Sequence, residues 1–418
     1  MMSHTVLDSI ALGYQPVWNP ARQLVAVRLR VHTIHPESVD APHLLQLLGS
    51  DWPAAAPVLI LSVESPALLQ QALVCPPVHN TWLEVPAALF ETPESLARLA
   101  VAQRNGHQLL RHAGPSTSCS AFNAPLDARS LLSLSPEDTL KALRAHAQQA
   151  SGNPFAAPMP AALCPGQIYQ GIADRHLAAL CLDQVGAWGL LGWPDEDVLF
   201  AHRQQPLACD TRVIEQIFQA IDDESSLEHL ERLVRQDPVL VYRLLLLVNS
   251  AAFGLRHEID SLRHALMMLG FTALGRWLRD QLPGSDNNPE LHPVRYAMVM
   301  RSRLAQHLLE PGSEDNLRAE VYTTALFAQL DRLMQKPLAE LLGKLPLSGR
   351  VLDAVMRQDG PYFPLIDIAQ AQGDPEKLRQ LPAICEQHDV SLEHANRALI
   401  RMLATSRDHA GKRSQRLL

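Results

Sequence analysis

Residues 237–270 read DPVLVYRLLLLVNSAAFGLRHEIDSLRHALMMLG, and this stretch decides the fold of the second half of the chain. Asp237-Pro238 opens a helix: the Asp side chain accepts from a first-turn N–H, and Pro suits a position where its own N–H is not needed. Leu240, Leu244, Leu245 and Val248 recur at helical spacing and form one apolar face. Asn249-Ser250 stops that helix and Phe253-Gly254 makes a turn. Ile259, Ser261, Leu262, Ala265 and Leu269 then carry a second helix, which ends at Gly270. As residues alone, these are two buried core helices joined by a capped turn.

Outward from this stretch, everything after Cys209 follows a helical period. Apolar stripes run through residues 211–220 and 227–235. After a break at 282–289 (LPGSDNNP) they resume at 293–309, 317–334, 337–342, 349–357, 375–388 and 392–406. A polar, basic tail occupies 406–418.

Before Cys209 the pattern differs. Residues 14–18, 24–31, 58–63, 81–85, 108–110 and 187–193 are short runs rich in Val, Leu, Ile and aromatics, and read as strands. Helical stretches lie between them, including one capped by Thr92 with Pro93 in its first turn and Asn105-Gly106 at its end. Such alternation predicts a parallel sheet covered by helices. Residues 114–125 are rich in Ser, Pro and Ala and read as a loop, a helix starts at Ser135-Pro136, and 150–166 is irregular with faint strand character, so an incomplete barrel is expected.

Composition bounds the function. Of 418 residues, 47% are hydrophobic and only 5% aromatic, which excludes a disordered chain and favours helices and βα units over an all-β sandwich. The net charge of −8 argues against a duplex nucleic-acid binder. The six cysteines have no C-x-x-C pairing and predict reduced, buried thiols. No signal-like start or membrane-length apolar run is present, so a cytoplasmic, non-membrane protein is expected. Phosphate-binding glycine loops, a nucleophile elbow and H-E-x-x-H are all absent from the sequence.

The ordered set Asp237-Pro238, Leu244-Leu245, Asn249-Ser250, Phe253-Gly254 and Leu269-Gly270 resembles the signature of the HDOD family. The similarity extends over about residues 206–405 and implies an all-helical regulatory or interaction domain. That domain is related in fold to HD phosphohydrolases but usually lacks their metal ligands. His388-Asp389 is the only His-Asp pair, and it reads as a helix end rather than a metal motif.

The earlier part, about residues 8–200, resembles an EAL domain, a metal-dependent cyclic-di-GMP phosphodiesterase on a TIM-like barrel. The resemblance rests on Tyr14-Gln15-Pro16 followed by Val25-Ala26-Val27, and on the strands near 81, 106 and 186. Arg28-Leu29-Arg30 stands where the family's Glu-containing signature falls, and His32 near its substrate-contacting Arg. Glu84 falls near a metal-binding Asn, and His112-Ala113 where paired aspartates are expected. A cation at a carboxylate's position repels the ion it should ligate.

These readings combine into an α/β plus all-α architecture: a degenerate TIM-like EAL-type domain at 1–200, then an HD-related HDOD domain at 206–405. The expected function is a non-catalytic signalling regulator or scaffold in a cyclic-di-GMP-linked pathway. It would have no catalytic residue, metal or cofactor, and its partners would be other signalling proteins, with homo-oligomerisation left open. A nucleotide-binding sensor without hydrolysis is the alternative. An active phosphodiesterase or HD-type hydrolase stands behind both.

Overall fold

The computed structural model describes residues 5–36, 39–114, 128–150, 163–204, 207–250, 259, 261–285, 288–310 and 312–406. Phe253, Gly254 and the tail from residue 407 lie outside the described residues. The chain divides into two compact units: Met1–Asp197 together with Ala371–Leu418, and Val198–Gln370.

The first unit is a closed barrel of eight strands in chain order. They are β1 Ile10–Trp18, β2 Leu24–Thr33, β3 Val58–Val63, β4 Thr81–Pro86, β5 Gln108–Ala113, β6 Arg129–Ser133, β7 Ile168–Gln170 and β8 Gly189–Leu191. Inward side chains recur every second residue. One inward layer is apolar: Val17, Ala26, Ile60, Leu110, Leu131, Ile168 and Leu191. Outward residues such as Val27, Leu29 and Val31 are fully buried as well, which is why the strands read as near-continuous apolar runs. Toward the N-terminal ends of the parallel strands the interior is plugged by Arg129, whose guanidinium lies 5.0 Å from the ring centre of Trp82 and 4.8 Å from that of Trp188.

Two expectations are corrected here. The barrel is complete: β6 lies between the two irregular stretches and β7 directly after the second, and β7 has only three residues, too few to show alternation. The sheet is also not wholly parallel: β1 runs antiparallel to both β2 and β8. At the β1–β8 seam a Cβ on Gly189 would stand 2.7 Å from Val17 Cγ1, so only glycine permits this approach.

A third correction concerns the C-terminal helices. Residues from Ala371 onward belong to the barrel unit, although their helical pattern placed them in the helical domain to 405. Backbone hydrogen bonding is the reason. β8 meets β1 only at Val17 and Trp18, so among the described residues the outer edge of β1 from Ile10 has no strand beside it. Asn396, fully buried in helix Leu392–Ala404, fills that edge. Its amide donates to Leu7 O and Ile10 O at 2.7 Å each and accepts from Leu12 N at 3.0 Å. Gln372 Nε2 donates to Leu12 O at 3.3 Å. Two side-chain amides thus satisfy backbone groups that a longer β8 would otherwise have paired.

The second unit is helical. Asp237 caps helix Pro238–Val248 as its sequence predicts, accepting from Val239 N at 3.0 Å, and Leu240, Leu244 and Leu245 are buried. Gly270 sits at φ 66°, ψ 165° inside Leu262–Gln281 and breaks it into two runs where a helix end was expected. This backbone region is open essentially to glycine alone. Cys75, Cys181, Cys209 and Cys385 are free thiols, whereas Cys164 is disulfide-bonded, contrary to the expected reduced set. Among the described residues no helix is long and apolar enough to cross a membrane.

Candidate functional site

Above the apolar layer, toward the C-terminal ends of the parallel strands, the barrel interior turns polar. This is the end at which such barrels place ligands. Period-two alternation brings the next inward residue of six strands together: Gln15, Arg28, Glu84, His112, Ser133 and Gln170. Arg28 is the centre of the group. Its Nε donates to Glu84 Oε2 at 2.7 Å and its Nη2 to Glu84 Oε1 at 2.5 Å, a two-pronged ion pair. Its Nη1 reaches Gln15 Oε1 at 3.1 Å and Gln170 Oε1 at 3.4 Å. His112 Nδ1 lies 2.9 Å from the same Glu84 Oε1, and its Nε2 lies 3.2 Å from Ser133 Oγ and 2.9 Å from Gln170 Nε2.

The electrostatics follow from that packing. Glu84 is 6% exposed, and burial alone would raise its pKa. The hydrogen bond from His112 and the charge of Arg28 outweigh burial and hold the carboxyl below its ordinary 4.5. Every side chain of the ring is therefore committed to a neighbour in the ring.

One layer further out, Arg30 and His32 converge on Glu64, at 2.7 Å and 2.9 Å. Burial raises the Glu64 carboxyl, but the hydrogen bonds from His32 and Arg30 bring it below its usual range. Of the positions singled out in the sequence, Arg28, Glu84 and His112 thus come together, and His32 stands in this second cluster. Ala113 faces the other way, into the core with Leu132 and Leu190. Gln15, Ser133 and Gln170 were not anticipated as site residues. Their only sequence signal is their place one alternation beyond an inward apolar residue.

In the helical unit the signature residues are caps and clasps. Asp237, fully buried, accepts from Asp210 N at 2.7 Å and lies 3.6 Å from Arg295, while Asp210 caps helix Thr211–Asp222 by accepting from Arg212 N at 2.9 Å. Burial raises the Asp237 carboxyl above its usual range despite Arg295. Asn249 donates to Ile259 O at 2.7 Å and accepts from Ile259 N at 2.8 Å, tying Ile259 to the end of helix Pro238–Val248. Ser250 Oγ donates to Leu247 O, and Pro238 and Leu269 are buried. His388 caps the end of helix Leu381–Gln387, and Asp389 follows at φ 53°. Among the described residues no group of three His, Cys, Asp or Glu side chains could hold a metal ion. The one carboxylate of the ring carries a guanidinium on both oxygens.

The family model for the HDOD domain matches residues 207–338. The chain is 22% identical over 151 residues to the uncharacterized protein YuxH of Bacillus subtilis (strain 168), covering 35% of this chain and 37% of that protein. It is 26% identical over 141 residues to the cyclic di-GMP phosphodiesterase CdgJ of Vibrio cholerae, covering 34% of this chain and 33% of that protein. The match therefore spans only about a third of either curated relative. Among solved structures, the EAL enzyme Bd1971 in its cAMP-bound form is similar with a TM-score of 0.30 and 12% identity, over 44% of this chain and 61% of that one.

Proposed function

We propose that this protein is a non-catalytic regulator in cyclic-di-GMP-linked signalling, acting through the binding of other signalling proteins. The HDOD match and the relative named as a cyclic di-GMP phosphodiesterase support the pathway. The observation that carries the non-catalytic reading is the pairing of Arg28 with Glu84 inside the barrel. Hydrolysis of a phosphodiester by divalent cations needs carboxylates free to ligate the ions and to hold the attacking water. Glu84 is the one carboxylate in the ring; its charge is met by Arg28, and it accepts a hydrogen bond from His112. Cation entry would require expelling a buried guanidinium.

The test is incubation of the full chain with cyclic-di-GMP and Mg²⁺ or Mn²⁺, followed by chromatography for the linear product. No turnover is expected. Arg28→Glu alone should not create it, because the neighbouring positions are His112 and Ala113 rather than acids. Turnover that disappears in Glu84→Gln would overturn the proposal.

A further inference from the structure

We propose that residues 374–380 form a releasable strap over the C-terminal ends of β2 and β3, so that the barrel mouth has a closed state, seen here, and an open one. The chain enters this segment from helix Phe363–Gly373 and passes through the short turn Leu378–Gln380 before helix Leu381–Gln387. Three contacts hold it. Leu378, 1% exposed, packs on Gly13 of β1; a Cβ there would stand 3.0 Å from Leu378 Cδ1 and 3.2 Å from Gln372 O, so the bare backbone of Gly13 makes the seat. Arg30 Nη1 donates to Pro375 O at 3.1 Å. Arg379, with a side chain 74% exposed, lies 3.5 Å from Glu64.

The strap and the helix beyond it are held very differently. Helix Leu392–Ala404 is fixed by the three buried hydrogen bonds of Asn396 and by a row of buried side chains, among them Leu399, Met402 and Leu403. The strap has one fully seated apolar side chain and two polar contacts. An ion pair as exposed as Arg379–Glu64 holds weakly. At the root of the strap, Gln372 Nε2 donates to Leu12 O at 3.3 Å and to Ala395 O at 3.2 Å, which confines release to the residues beyond it. Segments with few buried contacts open locally at a smaller free energy than the core does. Release of the strap would uncover Gly13, Arg30 and Glu64 while the seam formed by Asn396 stays shut.

Hydrogen exchange read by mass spectrometry on the full chain tests this. Amides of the strap should be at least about tenfold less protected than those of helix Leu392–Ala404. Leu378→Ser should speed strap exchange at least about tenfold more, while the helix keeps its protection. Equal protection of strap and helix, or loss of both together in Leu378→Ser, overturns the proposal. Should Leu378→Ser not fold, Arg379→Glu reverses the rim charge at an exposed site. Faster exchange confined to the strap supports release, and an unchanged strap or a loosened helix refutes it.

Discussion

The side chain of Asn396 accepts a hydrogen bond from the backbone N–H of Leu12 at 3.0 Å, across 384 positions of sequence. With its two donated bonds to Leu7 and Ile10, this one amide joins the last described helix to the first strand. Asn396→Ala leaves three buried backbone groups without partners. The expected loss is about 3 kcal/mol or more from the stability of the barrel. Exchange protection at Leu12 against denaturant measures it, and an unchanged midpoint would mean that the seam contributes nothing.

Arg28→Met should destabilise the barrel by about 3–5 kcal/mol, because it strands a buried carboxylate rather than merely deleting a contact. Adding Glu84→Gln to the same chain removes the stranded charge and should recover much of that loss. A double variant as unstable as Arg28→Met alone would count against the ion pair as the organising interaction.

The Glu84 carboxyl also sets a pH dependence. Its pKa is held below 4.5 in the folded chain by His112 and Arg28. A depressed carboxyl contributes stability that is fully present above its unfolded value and is lost as pH falls through the lower folded value. Acid unfolding of Glu84→Gln should therefore show a shallower loss below about 4.5 than the wild-type chain. Parallel acid profiles would contradict this.

Asn249→Ala removes both bonds to Ile259 and the donated bond to Leu245 O. A loss of about 2 kcal/mol from the helical unit is expected, with Asn249→Asp intermediate because it keeps only the acceptor for Ile259 N. Exchange at Ile259 is the direct readout.

Gly270→Ala forces a Cβ into a backbone conformation at φ 66°, ψ 165° that L-residues avoid, although nothing lies within 4 Å of that Cβ. The expected destabilisation of about 1–3 kcal/mol is thus conformational, not steric. D-Ala at 270, introduced by semisynthesis, should be tolerated where L-Ala is not.

How much of this was legible in the sequence depended on range. Caps are local, and Thr92, Asp237 and Asn105 act where their side chains announced. The missed strands β6 and β7 are short and adjoin Ser-, Pro- and Ala-rich stretches, so neither period nor composition marks them. The allegiance of helix Leu392–Ala404 could not be read from its apolar stripe, because a stripe says that a face is buried and not against what. Asn396 was the hint: an amide at a core position needs buried polar partners, and unpaired strand edges supply them. Within the candidate site, Arg28, Glu84 and His112 were identified through a resemblance. Gln15, Ser133 and Gln170 are ordinary residue types whose meaning comes only from the closing of the barrel.

The barrel's dependence on Asn396 also sets a timetable for its birth. During synthesis the eight strands are complete once Leu191 has been made, but the amide that closes their seam is encoded about two hundred codons later. At roughly 5–20 residues per second, the nascent barrel waits about ten to forty seconds with the edge of β1 uncovered. The helical unit is finished in that interval. On the ribosome, the middle of this protein can fold before its beginning does.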